Sequence, residues 1–92
     1  GPAEQGEATE INGVKVDIAK LEAAFADAPE ALRTSLSKFR MNIRYGQHVE
    51  ALAELDKMLS DAGITEPQKQ AITTVIEQMK QVISKAAPPA AQ

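Results

Sequence analysis

Few side chains in this 92-residue chain could do chemistry, and they are scattered. There is one histidine, His48, and no cysteine. A metal site needs converging ligands. In His48-Val49-Glu50 the imidazole and the carboxylate fall on different sides of a helix, and the Glu-x-x-His spacing of carboxylate-bridged di-metal bundles is absent. His48 reads as a helix-start residue packing its ring against a neighbour. Nucleophilic catalysis needs an activated hydroxyl beside a base. Ser35, Ser37, Ser60, Thr73 and Thr74 are present, but none stands in a Gly-framed elbow. Gly6, Gly13, Gly46 and Gly63 are too dispersed to cradle a phosphate. The expectation is a protein that is not an enzyme, with no catalytic residue, no metal ligand set and no cofactor.

Charged residues are better organised. Glu50, Glu54 and Asp61 fall in a narrow band opposite the leucine stripe of their helix, at about 100° per residue. Acids there form a solvated outer face or, alternatively, a docking strip for a basic partner. An exposed strip has no means of separating two carboxylate pKa values, so paired catalytic acids are disfavoured. Arg33, Arg40 and Arg44 align along another helix, roughly 90° from its apolar stripe. Their stems can cover apolar atoms while the guanidinium groups pair with neighbouring acids or bind a carboxylate ligand. Met41 and Tyr45, one turn apart, point away from the apolar stripe of the same helix. Either the N-terminal arm or the first helix covers them, or they form an exposed patch with the composition of a binding hot spot.

These groups must be positioned by helices. Leu32, Leu36, Phe39 and Ile43 recur at steps of four, three and four; Leu52, Leu55 and Leu59, then Ile72, Ile76, Met79 and Ile83, repeat the pattern. The spacing predicts helices over about 17–27, 29–45, 47–62 and 66–85. Asp17 suits an N-cap, Pro29 the first turn of the second helix, and Gly46 a left-handed C-cap. Thr65-Glu66-Pro67-Gln68 reads as a capping box. The wide apolar arc of the third helix, with Ala51, Met58 and Ala62 beside its leucines, places that helix centrally. Asn12-Gly13 is a hairpin signal. An isolated hairpin of such short strands is unstable, so residues 11–16 read as an extended arm resting Ile11, Val14 and Val16 on the bundle.

Residues 1–10 lack any large apolar side chain, and 87–92 contain Pro88-Pro89 and cannot continue the helix before them; both read as disordered tails. Gly1-Pro2 in place of Met matches the scar of a removed tag. A deleted export signal or a trimmed tail accounts for it equally, so a periplasmic or secreted location is an open expectation. No apolar run approaches the roughly 20 residues of a membrane helix. The net charge of −3 argues against a nucleic-acid partner. Its distribution is uneven: residues 29–45 carry four bases and one acid, against two bases and six acids in 1–28.

Gly46-Gln47-His48-Val49-Glu50-Ala51-Leu52-Ala53-Glu54-Leu55 resembles the turn and second helix of a tetratricopeptide-type hairpin. Gly46, Ala51, Leu52 and Leu55 match; His48 stands where an aromatic is usual, and the first helix departs from the family pattern. The resemblance implies helix pairing and protein binding. The stretch from Asn12 to Lys85 is also similar to small helical domains of exported bacterial proteins, a likeness that implies no activity. The Asp-Ser-Leu signature of acyl carrier proteins is absent, since Ser35 follows Thr34 in mid-helix and Ser60 precedes Asp61.

The expectation is an all-α, up-and-down bundle of four short helices over 11–86. Its core is Leu21, Phe25, Leu32, Leu36, Phe39, Ile43, Leu52, Leu55, Leu59, Ile72, Ile76, Met79 and Ile83. Its expected work is to bind a protein partner through Arg33, Arg40, Met41, Arg44 and Tyr45. The alternative is self-association into a homodimer through the same patch; a small-ligand carrier or enzyme ranks lower.

Overall fold

The computed structural model describes residues 8–86, so the tails expected at 1–7 and 87–92 lie outside the described residues. The elements are β1 (Thr9–Ile11), β2 (Val14–Val16), α1 (Ile18–Ala24), α2 (Glu30–Arg44), α3 (His48–Leu59) and α4 (Glu66–Ala86). Four helices make an all-α bundle with a small hairpin attached. α2 packs on α3, α3 on α4, and α4 on both α1 and β2. The third helix does lie between two neighbours, but the hub is α4, the longest helix and the one with three partners.

The segment 11–16 is not a plain arm. Thr9, Glu10 and Ile11 pair antiparallel with Val16, Lys15 and Val14. The two-residue turn uses Asn12 (φ 51°) and Gly13 (φ 80°), both left-handed, as a tight hairpin requires. Thr9 and Glu10 thus belong to a strand rather than to the tail assigned at 1–10. Three-residue strands do not hold alone; these are held because Val14 and Val16 are buried and β2 packs against α4.

Asp17 does not cap α1 with its side chain. It makes a reciprocal pair with α4: its N–H donates to Gln78 Oε1 (2.8 Å) and its Oδ2 accepts from Gln78 Nε2 (3.0 Å). α1 stops at Ala24, three residues short of expectation, because Phe25 and Ala26 shift to i→i−3 bonds on the approach to Pro29. Pro29 is the N-cap of α2, one place before the first turn, and its carbonyl accepts from Leu32 and Arg33. At the far end Gly46 (φ 73°) donates to the Ile43 carbonyl and Gln47 to that of Asn42, a Schellman motif. α3 ends at Leu59 rather than Ala62. Ser60 Oγ–H donates to the Lys57 carbonyl and Asp61 Oδ1 accepts from the Gly63 N–H, diverting the backbone from helix. The capping box forms as read: Thr65 N–H to Gln68 Oε1 (2.9 Å) and Gln68 N–H to Thr65 Oγ1 (3.3 Å). Gln68 Nε2 also reaches the last carbonyl of α1, at Ala24.

The core contains Leu21, Phe25, Leu32, Leu36, Phe39, Leu55, Ile72, Ile76 and Met79 as expected. Ile43, Leu52, Leu59 and Ile83 are only half-buried, and Val14, Val16, Ile18, Ala28, Ala51, Met58, Val75 and Val82 are buried instead. The buried axis of α3 is Ala51-Leu55-Met58, rotated by about 60° from the leucine stripe at about 100° per residue. Leucine was the wrong guide because a small alanine can face a close neighbour while leucines flank it. On α4, Val75 and Val82 widen the arc because three partners cover more of its circumference.

Candidate interaction surface

The rotation of α3 changes the acidic strip. Glu50 and Glu54 stand beside the buried axis, not opposite it, and Asp61 lies past the end of the helix. Glu54 is largely covered, with 14% of its side chain exposed, and its Oε2 is buried 3.9 Å from Lys57 Nζ without a hydrogen bond. Asp61 is committed to the Gly63 turn, and Glu50 is exposed. The strip is therefore not a continuous solvated face. His48 is half-buried at the start of α3. Among the described residues no group of three His, Asp or Glu side chains is placed to hold a metal ion, and no helix is long and apolar enough to cross a membrane.

The three arginines of α2 also divide. Arg33 Nε–H donates to the Ala28 carbonyl (3.1 Å), closing the α1–α2 connection. Arg40 pairs with Glu22 of α1 (3.3 Å) and donates to Ser37 Oγ (3.2 Å). Arg44, in the last turn, is exposed and makes neither an ion pair nor a side-chain hydrogen bond with another described residue. Among the described residues, two arginines are thus engaged by the fold and the third is not. A cation in the last turn suits the negative end of the helix dipole, so its position is favourable without a partner.

Met41 and Tyr45 are covered neither by the hairpin nor by α1. They are 56% and 67% exposed, and Val49, in the first turn of α3, is 63% exposed. Among the described residues these are the exposed large hydrophobics. Met41 and Tyr45 are neighbours at i,i+4, Arg44 stands at i+3 from Met41, and Val49 follows Tyr45 by four residues across the Gly46 corner. Met41 and Tyr45 thus form an exposed apolar pair on the outward face of α2. Sequence reasoning passed over Val49. The signal was there: a large apolar residue outside the apolar arc of its own helix.

A second feature is a shallow concavity of about 600 Å³ along the outer face of α4, lined by polar side chains including Lys69, Gln70, Thr73 and Glu77. Thr73 Oγ1–H donates to the Lys69 carbonyl, the usual resting bond of a helical threonine. Its mixed charges converge on nothing. No protein-family model, no curated protein and no solved structure matches the chain.

Proposed function

We propose that this chain is a non-enzymatic protein-interaction domain that docks a partner at the α2–α3 corner. The observation that carries the reading is the exposure of Met41 and Tyr45, one turn apart on α2, with Val49 exposed just past the Gly46 turn and with Arg44, which pairs with no other described residue, between the first two in sequence. Lys38 is exposed on the other flank of the same outward face of α2. An apolar strip with cations on both sides is complementary to a helical segment bearing apolar anchors flanked by carboxylates. The likeness of Gly46–Leu55 to a tetratricopeptide-type hairpin supports the same reading by analogy.

Self-association through α2 is disfavoured by charge. Laying two copies face to face brings Lys38 and Arg44 of each toward those of the other, and like charges across an interface oppose pairing. A monomer by sedimentation is the expected result. A dimer that Tyr45→Ser dissolves would replace the present reading with self-association.

The docking test uses the isotope-labelled chain and a synthetic helical peptide of leucine anchors and glutamate flanks. Amide shifts are expected at Met41, Arg44, Tyr45 and Val49, shrinking as salt screens the charges. Absence of shifts at about 1 mM peptide, or shifts centred on α4, would overturn the reading.

A further inference from the structure

The fold separates the three methionines into two classes. Met58 and Met79 are 1% and 0% exposed, whereas Met41 is 56% exposed at the α2–α3 corner. We propose that Met41 is a selective oxidation site, where a peroxide turns the apolar corner polar and weakens docking; the second half rests on the docking reading above.

The chemistry needs only a peroxide. A lone pair on Met41 Sδ forms the new S–O bond as the O–O bond breaks. With proton transfer, hydrogen peroxide leaves as water, or an alkyl hydroperoxide as its alcohol. Sulfur loses two electrons, the peroxide gains them, and the side chain becomes a sulfoxide that thiol-dependent reductases can return to the thioether. Attack requires solvent access to the side chain: Met41 is more than half exposed, and the two core methionines are enclosed.

The surroundings also decide what each product would cost the fold. A sulfoxide at position 41 stays in water, with the Arg44 guanidinium at i+3 and the Tyr45 hydroxyl at i+4 as neighbouring donors. At Met58 or Met79 the same oxygen would enter a core in which, among the described residues, no polar or charged residue is buried to receive it. Oxidation at the corner is therefore reversible chemistry on a folded protein. It changes one of three apolar anchors into a strongly hydrated group at the place where the partner is expected to exclude water.

The test treats the full chain with dilute hydrogen peroxide and follows each methionine by peptide mass mapping. The Met41 peptide should gain one oxygen about tenfold or more faster than those of Met58 and Met79, with an unchanged melting midpoint. The oxidised chain should bind the leucine–glutamate peptide about fivefold or more weakly. Met41→Leu should lose the sensitivity to peroxide: whatever its own affinity for the peptide, that affinity should be the same before and after treatment. Comparable rates at all three methionines, or a resistant Met41, would overturn the site. Selective oxidation with unchanged affinity, or a Met41→Leu chain still weakened by peroxide, would overturn the switch and leave the docking reading intact. If the untreated chain binds no peptide, the docking reading fails and the switch with it, while the peptide map still decides the oxidation site.

Discussion

Two corners of this molecule each turn on a left-handed glycine and finish differently. The hairpin turns at Gly13 and the α2–α3 connection at Gly46, each with a left-handed glycine, φ 80° and 73°, and each beside large apolar side chains. At the first corner Val14 and Val16 are buried, because β2 lies against α4. At the second, Met41, Tyr45 and Val49 remain in water. Turn geometry is a local property of a few residues. Burial depends on whether another element arrives to cover them. The comparison therefore separates apolar residues that hold the fold from apolar residues available to something outside it.

The contrast is open to direct tests by chemical denaturation. Val16 is fully buried, so Val16→Ala removes apolar contacts and leaves a void; a loss of about 2 kcal/mol is expected. A loss under about 0.5 kcal/mol would mean that the hairpin adds nothing to the core, and the distinction between the corners would collapse. The glycines come next. A Cβ at either Gly13 or Gly46 meets nothing within 4 Å, so the penalty of alanine there is conformational only. Gly13→Ala and Gly46→Ala should each destabilise by about 1 kcal/mol, since an L-residue resists positive φ. Unequal losses would show that the two turns are not equivalent. Smallest is the effect of polar substitution at the exposed corner. Met41→Ser and Tyr45→Ser should shift stability by less than about 0.5 kcal/mol while removing the peptide-induced amide shifts. A large loss of stability in either variant would place the corner with the first class.

Helical spacing alone leaves the members of each charge series equivalent. Arg33, Arg40 and Arg44 are equivalent by spacing, yet the Ala28 carbonyl takes one, Glu22 takes another, and the third has no such neighbour among the described residues. Glu54 and Glu50 are likewise one turn apart, and a rotation of the helix by about 60° covers one and exposes the other. Spacing places side chains relative to their own helix. It says nothing of which neighbour stands on which side.

What could be read directly was whatever needs only nearby residues. The Gly46 C-cap and the Thr65–Gln68 capping box follow from interactions within five residues and both formed, and the apolar stripes of α2 and α4 are buried except at their last members, Ile43 and Ile83. What tertiary structure alone decided joins residues far apart: the docking of a hairpin too short to stand alone, the pairing of Asp17 with Gln78 across 61 residues, and the setting of α3 on Ala51, Leu55 and Met58. The physical reason is that torsions and local hydrogen bonds are written into adjacent residues. Burial is a property of the whole packed chain, settled by which surfaces find one another and which are left to water.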